Sequence, residues 1–221
     1  MTRDDYTHIA YVLDRSGSMY VVQDAVASAF NEFVESQRRA PGYTTLGLTL
    51  FNTELDQRDT VTPIADIEPL AAGTNYAPGG LTALDDATGA TIVETGRVLE
   101  GMAEDDRPGH VLFVIHTDGH ENSSQRYSRR EVIDMRLRQE RDYGWTFLFV
   151  GADQDAWDNP YGIDARNTIS HDHDAESYAA VGVQMTNSAS GVRLAAPGAA
   201  ATLASEPVDL RRNKKKRRGK Q

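Results

Sequence analysis

The chain has 221 residues, which is enough for one domain with a sizeable core and short appendages. It contains no Cys, so disulfides, thiolate metal sites and a cysteine nucleophile are excluded. No stretch approaches the roughly 18 apolar residues that a membrane span needs, and the first residues do not form an apolar secretion signal. We therefore expect a cytoplasmic protein that contacts no membrane.

The net charge of −10 is distributed unevenly along the chain. Residues 1–210 hold 33 acidic and 15 basic residues, a net charge of −18, whereas eight basic residues lie between Arg211 and Lys220. An acidic body of this kind repels nucleic acid. The body and the basic segment are therefore expected to have different partners or to attract one another.

Strand-like and helix-like patterns alternate along the first half of the chain. An apolar run predicts a buried strand at residues 8–13, which leads into a loop that starts at Asp14. Apolar residues at helical spacing then predict a helix from about Val22 to Arg38. A second strand is predicted at residues 44–51, and a weaker third one is expected around residues 59–64.

The alternation continues in the second half. A long helix is predicted at residues 82–102, and the apolar run at residues 110–116 predicts a buried strand. A helix at residues 128–142 and a strand at residues 145–150 follow. Three apolar residues of this helix are expected to face inward, namely Val132, Ile133 and Leu137. Alternation of this kind predicts a three-layer α/β fold, in which a parallel sheet has helices on both faces.

The pattern weakens after residue 151. We expect a short helix near Asp155, an edge strand at residues 167–170 and a helix from about Ala175. The folded domain is assigned to residues 1–193. Residues 194–210 are rich in Ala, contain two Pro and lack periodicity, so they are predicted to be a linker. Residues 211–221 form a charge run and are predicted to be a disordered basic tail.

Oxygen-bearing side chains follow the apolar runs at three places. The first strand leads into Asp14, Ser16 and Ser18, the loop before the second long helix supplies Thr82, and the most apolar strand is followed by Asp118. Ligands of open parallel sheets bind at the carboxyl ends of the strands. Carboxylate and hydroxyl oxygens are the ligands preferred by small hard dications such as Mg²⁺ and Mn²⁺. The sequence therefore predicts a metal site at this edge.

The pattern at residues 11–19, 79–87 and 117–119 resembles the metal-ion-dependent adhesion site of the von Willebrand factor A family. The three segments contain Asp-Arg-Ser-Gly-Ser, Gly-Gly-Leu-Thr and Thr-Asp-Gly in the family's order. Residues 144–156 are also similar to small stand-alone members from bacteria and their phages. The resemblance covers about residues 7–190.

The resemblance implies a mainly parallel sheet of about six strands with one antiparallel edge strand. It also implies that Ser16, Ser18 and Thr82 contact Mg²⁺ or Mn²⁺ through their hydroxyls, while Asp14 and Asp118 bind the ion directly or through water. An Asp or Glu carboxylate from a partner protein then completes the coordination shell. The implied function is noncatalytic, metal-dependent protein interaction.

Structural roles are an alternative for the same side chains. Ser16 or Ser18 suits the cap of the following helix, Thr82 suits a capping box with Asp85, and Asp118 begins a plausible turn. These roles are compatible with metal binding.

The histidines offer a different metal site. His116 and His120 are four residues apart, and His171 and His173 are two apart, which allows a zinc site in principle. The alternative is that His120 lines the rim of the oxygen site together with Glu121. Residues 171–174 then form a solvated helix start with Asp174 as the cap.

Catalysis is the less favoured function. An Asp after a first strand is the nucleophile of aspartyl phosphatases, but their second carboxylate is replaced here by Ser16. A second hypothesis is a nucleic-acid-associated or virion-associated accessory protein, in which residues 211–221 contact phosphates or an acidic protein surface. A virion location is expected only if the gene belongs to a phage. The resemblance also allows an adaptor of an AAA+ ATPase.

Overall fold

The computed structural model describes residues 2–58, 60–152 and 159–211. Eight strands form one sheet, namely β1 (Arg3–Asp14), β2 (Tyr43–Phe51), β3 (Leu55–Gln57), β4 (Thr62–Pro63), β5 (Pro108–Thr117), β6 (Thr146–Ala152), β7 (Thr168–His171) and β8 (Val208–Asp209). Four α-helices accompany them within the described residues, namely α1 (Gln23–Arg38), α2 (Leu84–Gly101), α3 (Arg129–Tyr143) and α4 (Ala175–Leu194). The short helix predicted near Asp155 lies outside the described residues.

The sheet is mainly parallel, which confirms the predicted fold class. The strand order is β3-β2-β1-β5-β6-β7-β8, and β4 also pairs with β2. Only β3 and β4 run antiparallel, and both pair with β2 at one edge. The predicted strand at residues 59–64 corresponds to the two-residue strand β4. The strand predicted as an edge is β7, and β8 covers it in parallel.

Two hydrophobic layers cover the sheet. Because successive side chains of a strand point to opposite faces, β1 contributes to both layers. Ile9, Tyr11 and Leu13 pack with residues of α1 and α4, whereas Ala10 and Val12 pack with residues of α2 and α3. The central strands are therefore buried on both sides, as their continuous apolar runs predict.

Helix α3 departs from one detail of the prediction. Val132 is buried as expected, but Leu137 is 46% exposed and the neighbouring Arg136 is buried instead. The Arg136 guanidinium forms an ion pair with Glu140 one turn later on the same helix. The aliphatic stem of an Arg can cover apolar surface while its charge is paired, so Arg136 occupies the inward position that was assigned to Leu137.

The structure corrects the prediction of a linker at residues 194–210, since Leu194 belongs to α4 and the residues after it contact the domain. The Ala201 amide donates to Thr146 Oγ1 at 2.8 Å, and the Leu203 amide donates to Asn167 Oδ1 at 2.8 Å. Four apolar side chains of the segment pack against the core, namely Ala201, Leu203, Val208 and Leu210. These four apolar residues do not recur at the spacing of a helix or a strand, so the sequence pattern did not reveal their contacts. Residues 212–221 lie outside the described part, and their disorder stays a prediction.

Within the described residues, no helix has both the length and the apolar character that a membrane crossing requires.

Candidate metal site

The predicted site begins where the parallel strands β1 and β5 end side by side. Leu13 pairs with His116 in the register of these strands, so Asp14 and Thr117 follow at the same level. The Thr117 hydroxyl donates to Asp14 Oδ2 at 2.6 Å. This bond joins the two loops that carry the predicted carboxylates.

Asp14 is fully buried and held by hydrogen bonds. Its Oδ1 accepts from the Ser16 amide at 2.6 Å, and its backbone carbonyl accepts from the Tyr76 hydroxyl at 2.7 Å. Burial raises the pKa of Asp14 from 3.8 to about 6, while hydrogen bonds from Thr117 and Ser16 lower it and the charge of Asp118 raises it. Among the described residues, no basic side chain forms an ion pair with Asp14. A buried carboxylate without a basic partner suits a bound cation.

The two serines connect Asp14 to Asp118. The hydroxyl oxygens of Ser16 and Ser18 are 3.1 Å apart, and Ser18 donates to Asp118 Oδ1 at 2.8 Å. The loop after β1 and the turn after β5 therefore present a continuous row of oxygen atoms.

Thr82 reaches this row through contacts of its own loop. The Gly79 amide donates to the Arg15 carbonyl at 2.9 Å, and the Gly17 amide donates to the Gly80 carbonyl at 3.1 Å. These two bonds attach the Thr82 loop to the loop after β1.

The turn after β5 closes onto Thr82 and Asp14. A Cβ atom added at Gly119 would lie 3.1 Å from Thr82 Oγ1 and 3.6 Å from Asp14 Oδ2. Glycine at this position therefore permits a close approach of the turn. The structure thus brings together all five predicted residues, Asp14, Ser16, Ser18, Thr82 and Asp118.

The capping alternatives for Ser16 and Thr82 are wrong. Ser16 precedes a short 3₁₀ helix, Gly17–Val22, but its side chain makes no cap hydrogen bond. The N-cap residue of α2 is Ala83, so the predicted capping box between Thr82 and Asp85 is absent. Neither hydroxyl is used to satisfy a helix end.

Glu121 and Ser124 satisfy the start of α2 instead. Glu121 Oε2 accepts from the Asp85 amide at 2.8 Å, and Ser124 Oγ accepts from the Asp86 amide at 2.9 Å. Glu121 also lines the cleft beside Asp118 together with His120, as expected for a residue at the rim of the site. His120 is exposed on the turn between the site and this cap.

His173 is the residue that sequence reasoning missed. Its Nε2 lies 3.3 Å from Asp118 Oδ2, and its Nδ1 lies 3.5 Å from the Tyr178 hydroxyl. The interpretation of residues 171–174 as a solvated helix start is wrong for His171, which is fully buried, and for His173, whose side chain is mostly buried. Asp174 does cap α4, since it accepts from the Ser177 amide at 2.9 Å. The position of His173 just after β7, at the carboxyl edge of the sheet, was the available signal.

The structure does not bring His116 and His120 together as ligands of a zinc ion. His116 is buried and its Nδ1 lies 2.9 Å from the Tyr11 hydroxyl, whereas His120 is exposed. In the part of the chain that is described, no group of three or more His, Asp or Glu side chains converges to hold a metal ion. The oxygen site has only two carboxylates and gains its remaining oxygen atoms from hydroxyls.

No protein-family model and no curated protein sequence matches the chain. Similar solved structures include proximal thread matrix protein 1 from the mussel byssus with a zinc-occupied MIDAS motif (14% identity, TM-score 0.56, covering 82% of this chain and 47% of that one). A von Willebrand factor type A protein from Catenulispora acidiphila is 13% identical, with a TM-score of 0.57 and coverage of 84% and 43%. The manganese-loaded TRAP protein of Plasmodium vivax is 14% identical, with a TM-score of 0.52 and coverage of 80% and 72%.

The chain spans less than half the length of the first two of these proteins. At this level of identity the likeness concerns the fold. The sheet order, the helices on both faces and these structural matches agree, and the protein has the von Willebrand factor A fold.

Proposed function

We propose that the protein is a noncatalytic, metal-dependent protein-interaction module. The observation that carries the proposal is the convergence of Asp14, Ser16, Ser18, Thr82 and Asp118 at the carboxyl edge of the sheet. The buried Asp14 carboxylate has no basic partner in the described part of the chain. A cation at this edge compensates a charge that the protein itself leaves uncompensated.

The donor set favours a hard divalent ion. Asp14 and Asp118 supply carboxylate oxygens, and Ser16, Ser18 and Thr82 supply neutral hydroxyl oxygens, so we expect Mg²⁺ or Mn²⁺. The mussel byssus protein holds zinc in its MIDAS motif and the Plasmodium vivax protein was solved with manganese, which supports a divalent ion here. Such an ion, when bound, offers a coordination position to an oxygen of a partner. An Asp or Glu of a partner protein is the natural donor.

Exposed apolar side chains beside the site support a protein as the partner. Tyr20 is 63% exposed, Val21 is 77% exposed and Leu81 is 54% exposed. In a 3₁₀ helix, residues three apart are aligned, so Val21 lies above Ser18 and Tyr20 lies above Gly17. Leu81 directly precedes Thr82. Two loops that carry hydroxyl ligands therefore also present apolar surface, which a partner can bury around its carboxylate.

The immediate surroundings of Asp14 favour binding over covalent chemistry. Its Oδ1 is engaged by the Ser16 amide and its Oδ2 by the Thr117 hydroxyl. The residue two positions later is Ser16, so the general acid that an aspartyl phosphatase requires is not available from that position. We therefore assign no catalytic residue.

The first experiment is calorimetric titration of Mg²⁺ and Mn²⁺ into metal-free protein. Saturable binding is expected for the wild type, and Asp14→Ala is expected to abolish it. Asp134→Ala is the matched control, because Asp134 is exposed on α3. Thermal melting of each metal-free variant shows whether it folds. Equal binding by the wild type and a folded Asp14→Ala variant would contradict the proposal.

The second step uses acetate as a carboxylate probe. Mn²⁺ broadens the NMR signal of any acetate that binds next to it, so the signal is compared for Mn²⁺-loaded protein and for Mn²⁺ alone. Broadening that depends on the loaded wild-type protein supports an open coordination position. The same broadening with Asp14→Ala present would argue against this site as its location.

A further inference from the structure

We infer that His173 is a positioning residue of the metal site. It holds the Asp118 carboxylate oxygen that Ser18 does not contact, and it thereby strengthens metal binding. The inference rests on the proposed function, because it deals with the affinity of the same site. His173 belongs to the connection between β7 and α4, which contributes none of the five ligand residues. It therefore adds a fourth chain segment to the site.

The Asp118 carboxylate is held between two segments. Its side chain is only 3% exposed. Oδ1 accepts a hydrogen bond from Ser18 at 2.8 Å, and Oδ2 lies 3.3 Å from His173 Nε2. A carboxylate with both oxygens engaged has little rotational freedom. Asp118 is thus oriented before a metal ion arrives, which reduces the ordering that binding requires.

Asp118 and Tyr178 face the two different ring nitrogens of His173. The Tyr178 hydroxyl lies 3.5 Å from His173 Nδ1, and burial raises the pKa of Tyr178 well above 10, so the phenol keeps its proton. A carboxylate only accepts, so a hydrogen bond to Asp118 Oδ2 requires the proton on Nε2, and Nδ1 of the neutral imidazole is then an acceptor for the Tyr178 hydroxyl. The Nε2–H group then donates to Asp118 Oδ2.

The backbone on both sides of His173 is fixed. Strand β7 ends at His171, and α4 begins at Ala175 with Asp174 as its cap. The cap accepts from the Ser177 amide at 2.9 Å. The imidazole is therefore carried by ordered secondary structure on either side, as a residue that orients a ligand requires.

The geometry favours an indirect role for His173 over direct ligation. No group of three His, Asp or Glu side chains converges among the described residues, so Asp14, Asp118 and His173 do not form a three-ligand centre. Residues that hydrogen-bond to ligating carboxylates typically change metal affinity by about 10–100-fold when they are removed. We expect an effect of this size at His173.

The test compares His173→Ala with His173→Gln by calorimetric titration of Mn²⁺. The Gln side-chain amide can reproduce the Nε2–H donor, so we expect the dissociation constant to rise by about 10–100-fold in His173→Ala and by only a few-fold in His173→Gln. Glu176→Ala is the control, because Glu176 is exposed in the first turn of α4, and its affinity is expected to match the wild type.

The outcomes separate this inference from the proposed function. No Mn²⁺ binding by the wild type would contradict the proposed function itself. A binding wild type with unchanged affinity in His173→Ala would overturn only the inference. Equal losses in the Ala and Gln variants, with a lowered melting temperature of the metal-free proteins, would also overturn it, because they would indicate a packing role.

An NMR measurement tests the contact without any metal. Long-range ¹H–¹⁵N spectra of the imidazoles at pH 8 report which nitrogen of His173 carries the proton. We expect the Nε2–H form in the metal-free wild type and a change of this pattern in Tyr178→Phe. An Nδ1–H form in the wild type would overturn the inference.

Discussion

The Thr117 hydroxyl donates a 2.6 Å hydrogen bond to Asp14 Oδ2, across the pair of strands that forms the centre of the sheet. Thr117 also accepts from the Gly119 amide at 3.1 Å. One hydroxyl therefore stabilises both the buried carboxylate and the turn that carries Asp118. Thr117 is not one of the proposed ligands, yet it links two of them.

Thr117→Val removes this hydroxyl while it preserves the shape of the side chain. A hydrogen bond to a charged group contributes about 1.5–3 kcal/mol, so we expect the variant to lose stability of this order at pH 7. Urea denaturation measures the change. Thr117→Ser retains the donor and is the control, with a smaller expected loss. Equal stabilities of Thr117→Val and the wild type would show that Asp14 does not depend on this bond.

Asp14 is expected to destabilise the metal-free protein at neutral pH. Its pKa is about 6 in the folded protein, against 3.8 for an ordinary Asp side chain such as that of the unfolded chain, so the folded state binds the proton more tightly. The contribution of this group to the free energy of unfolding therefore increases as the pH falls from about 6 towards 3.8. At pH 7, where Asp14 is ionised, the free energy of unfolding is lower by at most about 3 kcal/mol than it would be with Asp14 protonated.

Asp14→Asn removes the charge but keeps the size of the side chain. Without metal, we expect the variant to be about 1–2 kcal/mol more stable than the wild type at pH 7, and this difference is expected to vanish near pH 4. Urea denaturation at both pH values measures it. Excess Mg²⁺ is expected to stabilise only the wild type. A variant that is less stable at pH 7 would contradict the prediction.

His8 produces the opposite pH dependence. It is fully buried, and burial lowers its pKa from 6.5 to about 4. The unfolded state therefore binds the proton more readily, and stability is lost as the pH falls from about 6.5 to about 4, by up to about 3 kcal/mol. His8→Leu removes this contribution, so its stability is expected to fall less than that of the wild type over this range. Parallel pH profiles of the two proteins would contradict the prediction.

The apolar residues beside the site predict a preference among carboxylates. Phenylacetate is expected to bind the Mn²⁺-loaded protein a few-fold more tightly than acetate, because burial of part of its ring contributes about 0.5–1 kcal/mol. Leu81→Ser is expected to remove this preference without a change in Mn²⁺ affinity. Val183→Ser is the control, because Val183 is exposed on α4 and is remote from the ligand loops in sequence. Mn²⁺-dependent broadening of the probe signals measures both affinities.

The convergence of Asp14 and Asp118, two of the five proposed ligands, was predictable because the strands before them are continuously apolar. Such runs locate the ends of buried parallel strands, and ends of neighbouring strands meet at one edge. His173 was not predictable in the same way, because β7 is short and its apolar pattern is weak. Its contact with Asp118 depends on the position of β7 in the sheet, which local periodicity does not determine.

The errors elsewhere have a similar origin. In α3, the apolar pattern alone did not distinguish the face that contains Leu137 from the one that contains Arg136. An Arg stem can act as an apolar surface, and hydrophobicity patterns count it as polar. In residues 195–210, the apolar side chains that pack against the core are irregularly spaced along the chain, so only the tertiary structure reveals their contacts.

The direction of β8 determines where the basic segment begins. Because β8 runs parallel to β7, with Val208 opposite Ile169 and Asp209 opposite Ser170, it points towards the carboxyl edge of the sheet. Arg211, which follows β8 and is the first of the eight basic residues, therefore lies at the same end of the molecule as the oxygen site. An antiparallel β8 would have sent this part of the chain to the opposite end. A partner that approaches the oxygen site therefore approaches the end of the molecule at which Arg211 lies.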